Sequence, residues 1–120
     1  MISTTIPIQG TFDIAKGRNS LRAHIAAQCW SPTFGARAAA ALTALGELIL
    51  FTSHHNLVIV RMTVVDQGDK VGIHFACNIQ SPGENLSAFG EVEDRLDRAT
   101  DTLELRPLAQ SIQVSASICL

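Results

Sequence analysis

Charge of either sign is scarce in these 120 residues: nine lysines and arginines stand against eleven aspartates and glutamates, a formal net charge of −2. No broad basic field exists to gather nucleic acid or anionic lipid, so neither is expected as a partner. Cysteine is sparse too. Cys29, Cys77 and Cys119 are odd in number, widely separated and without a C-x-x-C pair. That spacing argues against a disulfide framework or a zinc site and for reduced thiols packed as small hydrophobes. The sequence contains no P-loop, dinucleotide fingerprint or G-x-S-x-G elbow. From Met1 to Gln9 no basic region precedes an apolar run, so no secretory signal is expected. The longest apolar stretch, Phe34 to Thr52, carries Arg37 and Glu47 inside it, which argues against a membrane span. The cytoplasm is the expected location.

What is present describes one globular domain over residues 1–120. The hydrophobic fraction is 47% and the charged fraction 17%, enough apolar material for an independent core. Ile2, Ile6 and Ile8 predict a short strand that Gly10 closes. Asp13 reads as a helix cap, with Ile14, Leu21 and Ile25 at helical spacing up to about Cys29, and Gly17 weakening that helix slightly. Ser31 and Pro32 then read as the cap and first residue of a second helix. Its stripe is the strongest signal in the chain: Phe34, Ala38, Ala41, Leu42, Leu45, Leu48, Ile49 and Thr52 recur at three- and four-residue steps. Alanine dominates its first half and permits close packing.

The period then changes. Leu57 to Asp66 is rich in Val and Ile, Val71 to Asn78 alternates, and Gln67-Gly68-Asp69 between them predicts an antiparallel hairpin. Ile79 to Gly90 reads as a loop. A short helix follows, with Phe89, Val92, Leu96 and Ala99 on its apolar side and Glu91 to Asp97 on the solvated side, where the acids are interleaved with Arg95 and Arg98. Two strands close the chain, Thr102 to Arg106 and Gln110 to Ile118; the second alternates Ile112, Val114, Ala116, Ile118 against Ser111, Gln113, Ser115, Ser117. The expected fold is α+β: a two-layer sandwich of a mostly antiparallel (mixed) five-stranded sheet with about three helices on one face. The Ser/Gln face is left to water or a partner.

This order of elements, with Phe12-Asp13-Ile14-Ala15 opening the first helix and Ala44-Leu45-Gly46-Glu47-Leu48 in the second, resembles the histidine-kinase-like ATPase superfamily. The nearest branch is the small serine kinases that act as anti-sigma factors. The resemblance implies a Glu used as base on the second helix, with an Asn four residues later that holds the magnesium of ATP. Glu47 matches the Glu. The Asn position is Phe51, and a phenyl ring offers no lone pair to a hard cation. The adenine-recognising stretch corresponds to Cys77-Asn78-Ile79-Gln80-Ser81-Pro82-Gly83, with Asn78 near its Asp and Gly83 as the one glycine kept. The phosphate-wrapping lid is cut to Glu84–Ala88 plus Gly90, too short for a triphosphate. At 100° per residue Glu47 and Phe51 share the side of the helix away from its stripe, together with Ala36, Ala40 and Thr43.

The expectation is therefore a regulatory protein-binding module that has lost ATP and magnesium, with Glu47, Phe51, Asn78 and Gly83 as degenerate nucleotide-site positions. Its partner is a sigma factor, an anti-sigma-antagonist-like domain or a second copy of itself. Two alternatives stand beside it. One is an active serine kinase with Glu47 as base and Asn78 on adenine; the other is a small-molecule sensor with an apolar ligand between the second helix and the sheet. His54 and His55 read as helix C-terminal residues with Asn56 as cap, not as metal ligands. His24 and His74 read as structural, and Trp30, the single tryptophan, as a plug in the bend between helices. The acidic helix face reads as solvated, with steering of a basic partner as its functional alternative.

Overall fold

The computed structural model describes residues 2–53, 56–67, 70–80 and 86–120. Along the chain lie β1 (Ile2–Ile8), α1 (Thr11–Ala27), α2 (Pro32–Ser53), β2 (Val58–Gln67), β3 (Lys70–Gln80), α3 (Leu86–Ala99), β4 (Thr102–Pro107) and β5 (Ser111–Cys119). The strands form one open sheet in the order β1-β2-β3-β5-β4, and all four pairings are antiparallel. This is the α+β two-layer sandwich that the alternation and the helical stripes predict.

Period-two alternation aims one row of each inner strand at the helices. Val64, Ile73 and Ile118 lie in one register across β2, β3 and β5, and Met62, Phe75 and Ala116 in the next. All six are buried. The other face keeps Ser3, Thr5, Arg61, Thr63, His74, Asn78, Gln113, Ser115 and Ser117, small or polar and at least partly exposed. β1 and β4 are the edges, and each carries a proline, Pro7 opposite Ile59 and Pro107 opposite Ile112.

Every member of the predicted α2 stripe is buried, from Phe34 through Thr52, and Leu42, Leu45, Leu48 and Ile49 are wholly excluded from solvent. Each of those four contributes roughly 1.5–3 kcal/mol of burial. α2 is the one described helix long and apolar enough to cross a membrane, and 56% of its most apolar stretch is buried within the fold. The other two helices both pack against it. Such contact needs small residues. A β-carbon at Gly46 would stand 2.6 Å from two side-chain carbons of Ile14, and one at Gly17 would stand 2.9 Å from Ile6 and 3.2 Å from Leu42. Gly17 thus belongs to the buried face of α1 with Ile14, Leu21 and Ile25, rather than being a mere weakness in the helix.

Beyond element ends that move by a residue or two, the start of α1 and the stretch Ile79 to Gly90 differ from the sequence reading. α1 begins at Thr11 with Gly10 as N-cap, so Asp13 sits one turn inside the helix. From there its carboxylate accepts from the Gly10 and Gln9 amides at 3.1 and 2.8 Å, the reach-back half of a capping box. The stretch Ile79 to Gly90 is not loop at either end: β3 runs through Gln80 and α3 begins at Leu86. Residues 81–85, which hold the Pro-Gly signal, lie outside the described residues, as do His54 and His55.

Between α1 and α2 the chain turns through a Schellman motif. The Trp30 amide donates to the Ile25 carbonyl and the Cys29 amide to Ala26, with Cys29 at φ 58°. Ser31 then caps α2, its Oγ accepting from the Phe34 amide at 3.2 Å. At the far side, one guanidinium nitrogen of Arg37 of α2 donates to both carboxylate oxygens of Asp101 at 3.0 Å and the other donates to the Cys119 carbonyl, while Asp101 accepts from the Cys119 amide. This clamp ties α2 to the α3–β4 junction and the end of β5.

Two outcomes test this packing. Cys29→Gly should raise stability by about 1 kcal/mol in urea unfolding, because glycine adopts the left-handed conformation without the Cβ clash. Gly46→Ala should lower it by about 1 kcal/mol or more, overpacking outweighing the gain in helix propensity. Ile14→Val should then cost less in the Gly46→Ala background than alone.

Candidate functional site

With its stripe against the sheet, α2 turns one row outward between its two neighbours: Ala36, Ala40, Thr43 and Glu47 at steps of three and four. That row floors an open trough of about 510 Å³, joined by Ala39 and Ala44, with Arg18 and Arg22 of α1 on one wall and Arg95 and Ala99 of α3 on the other. Arg18 donates to the Thr43 hydroxyl at 3.4 Å, and Thr43 donates in turn to the Ala39 carbonyl. Arg95 pairs with Glu47 at 3.1 Å, both side chains roughly half exposed. An ion pair so open to water is worth about 0.2–1 kcal/mol. Arg22 makes no ion pair among the described residues.

The trough continues toward the α1–α2 turn. A second depression of about 380 Å³ shares Arg22 and Ala36 with the first and is otherwise lined by Ile25, Ala26, Trp30, Pro32 and Gly35. Trp30 is half-buried here, its ring 5.2 Å from Phe34 in an edge-to-face contact. It is therefore a plug on one side and a surface on the other.

The residues named from the sequence do not converge. Glu47 lies in the trough, engaged by Arg95. Phe51, one turn on, is half-buried against the hydrophobic core. Asn78 is exposed on the opposite side of the sheet, paired in register with Gln113, beside a shallow depression of about 310 Å³ that Arg61 and Ile59 share. Gly83 lies outside the described residues. At the end of α2, Ser53 is buried with an Oγ that has no partner among the described residues, at a cost of about 1–3 kcal/mol. Compared with known proteins, the chain matches no family model and no curated protein sequence.

His24 bonds the Ser20 carbonyl one turn back at 2.8 Å, and His74 bonds Ser117 at 2.9 Å across β3 and β5. The His74 pair sits in a cross-strand row of Ser3, Thr63, His74, Ser117 and Thr102 spanning all five strands. Among the described residues no three His, Cys, Asp or Glu side chains stand together at metal-binding spacing. Sequence reading missed the arginine walls. The four-residue step from Arg18 to Arg22 was the available signal for one wall; Arg95 joins them only through the tertiary fold.

Of the three thiols, Cys29 and Cys119 are exposed and Cys77 is buried. Burial pushes the Cys77 thiol up to about 12 from 9.0. The folded chain therefore keeps a proton that the unfolded chain releases between those two values, and stability falls as pH rises through that window. In the wild type the decline attributable to this thiol should reach at most about 1.4 kcal/mol per pH unit above pH 9, and it should be missing in Cys77→Ala. Maleimide labelling at pH 8 should modify Cys29 and Cys119 while sparing Cys77 until the protein unfolds.

Proposed function

We propose that this domain is a regulatory protein-binding module, akin in design to the anti-sigma-factor serine kinases but making no use of ATP. One observation carries most weight: on the outward row of α2 the Glu47 carboxylate is engaged by Arg95. The next position on that row, where the resemblance implies a magnesium-holding Asn, is a half-buried Phe51 set against the core. A phenyl ring cannot serve a cation that demands oxygen. Asn78 adds support, since it faces away from α2 across the full thickness of the sheet.

Under this reading the domain acts through shape and surface, in the cytoplasm. Its partner is a sigma factor, an antagonist-like domain or a second copy. Two surfaces are open for that work: the polar face of the sheet and the arginine-walled trough. Titration calorimetry with magnesium-ATP at millimolar concentration should show no binding heat. Saturable binding at micromolar affinity would sink the proposal.

A further inference from the structure

We infer that the trough over α2 is a docking groove for an acidic amphipathic helix of a partner protein. The inference deepens the protein-binding reading above and rests on it. The two contiguous depressions run along α2 from Pro32 to Glu47, about 22 Å at the helical rise and matched to a docked helix of roughly four turns. Gly35, Ala36, Ala39, Ala40 and Ala44 project nothing beyond a β-carbon. A helix laid there can therefore approach to the short end of the ~8–10 Å interaxial range.

Charge selects the occupant. Arg18 and Arg22 on one wall and Arg95 on the other, against Glu47 alone, leave two net positive charges on a chain whose total is −2. Two of these guanidiniums, Arg18 and Arg22, have no carboxylate partner among the described residues. Acidic side chains on both flanks of an incoming helix would meet them and would also compete with Glu47 for Arg95. At the other end Ile25, Ala26, Trp30 and Pro32 offer an apolar seat for one bulky side chain. Helix-in-groove recognition uses this combination of apolar anchors and flanking charge. Trp30, half-buried and aromatic, has the character of a binding hot spot.

A second copy fits less well. Its α3 is acidic through Glu91, Glu93, Asp94 and Asp97, but from Ala88 to Ala99, where side chains are described, its exposed side carries no large apolar residue for the Trp30 seat. Nucleic acid fits less well again, because three guanidiniums on a chain of net charge −2 make no continuous basic track for a strand of phosphates.

A displayed library of single-helix scaffolds, randomised over about four turns, tests this against the whole folded chain. Selected binders should be enriched in Glu and Asp on two flanks and in one large apolar residue near an end. Trp30 is the only tryptophan, so its emission should shift on binding and report the site directly. Arg22→Ser should weaken binding about tenfold. Ala40→Leu, which fills the floor at an exposed position, should weaken it by as much or more.

Selection of basic or neutral helices, no enrichment, or binders indifferent to Ala40→Leu with no change in Trp30 emission would overturn the groove. So would concentration-dependent dimerisation lost in Ala40→Leu, or binding of a single-stranded RNA oligomer at the same site. These failures are separable from failure of the broader reading. Micromolar magnesium-ATP binding overturns the module itself, whereas silent calorimetry with no acidic helix selected overturns only this groove.

Discussion

Burial of α2 on three sides governs the rest of the molecule. Below it lies the sheet, and α1 and α3 press against its flanks. A helix so enclosed must be apolar toward the sheet and small toward its neighbours, which is why leucines and isoleucines form one stripe and alanine and Gly46 fill the sides. Apart from Arg37 and the first turn, only the outward row remains for anything else. Its residues are Ala36, Ala40, Thr43, Glu47 and Phe51. The space left for chemistry is thus set by packing before any functional group is chosen.

The features legible in the sequence are those written by local periodicity. The α2 stripe, the alternation of Ile112, Val114, Ala116 and Ile118, and the apolar side of α3 depend only on which way successive side chains point. They appear in the fold with boundaries displaced by a residue or two. Asp13 misled because an acid near a helix start satisfies orphan amides equally from the cap or from one turn inside. The stretch before Phe89 read as loop because the turn residues Ser81 to Asn85 dominate it, although Leu86 and Ala88 are good helix formers.

Other features were invisible for a different reason. That β5 lies between β3 and β4, that Arg37 reaches Asp101, and that Arg95 faces Arg18 and Arg22 across α2 are facts about distant segments meeting. No period in the chain encodes them. The candidate site shows the same division. Helical geometry placed Glu47 and Phe51 on one side of α2, but alignment with a motif could not say that Asn78 would point through the opposite face of the sheet. Parity along β3 decides that, since Ile73, Phe75, Cys77 and Ile79 take the core side.

Pro7 and Pro107 mark the two rims of the sheet. A proline lacks the amide that a passing strand would need, and each sits at or near the end of an outer strand. Lateral growth of the sheet into ribbons or fibrils is therefore interrupted on both sides. A molecule that leaves one entire sheet face bare can in this way stay dispersed while keeping that face free.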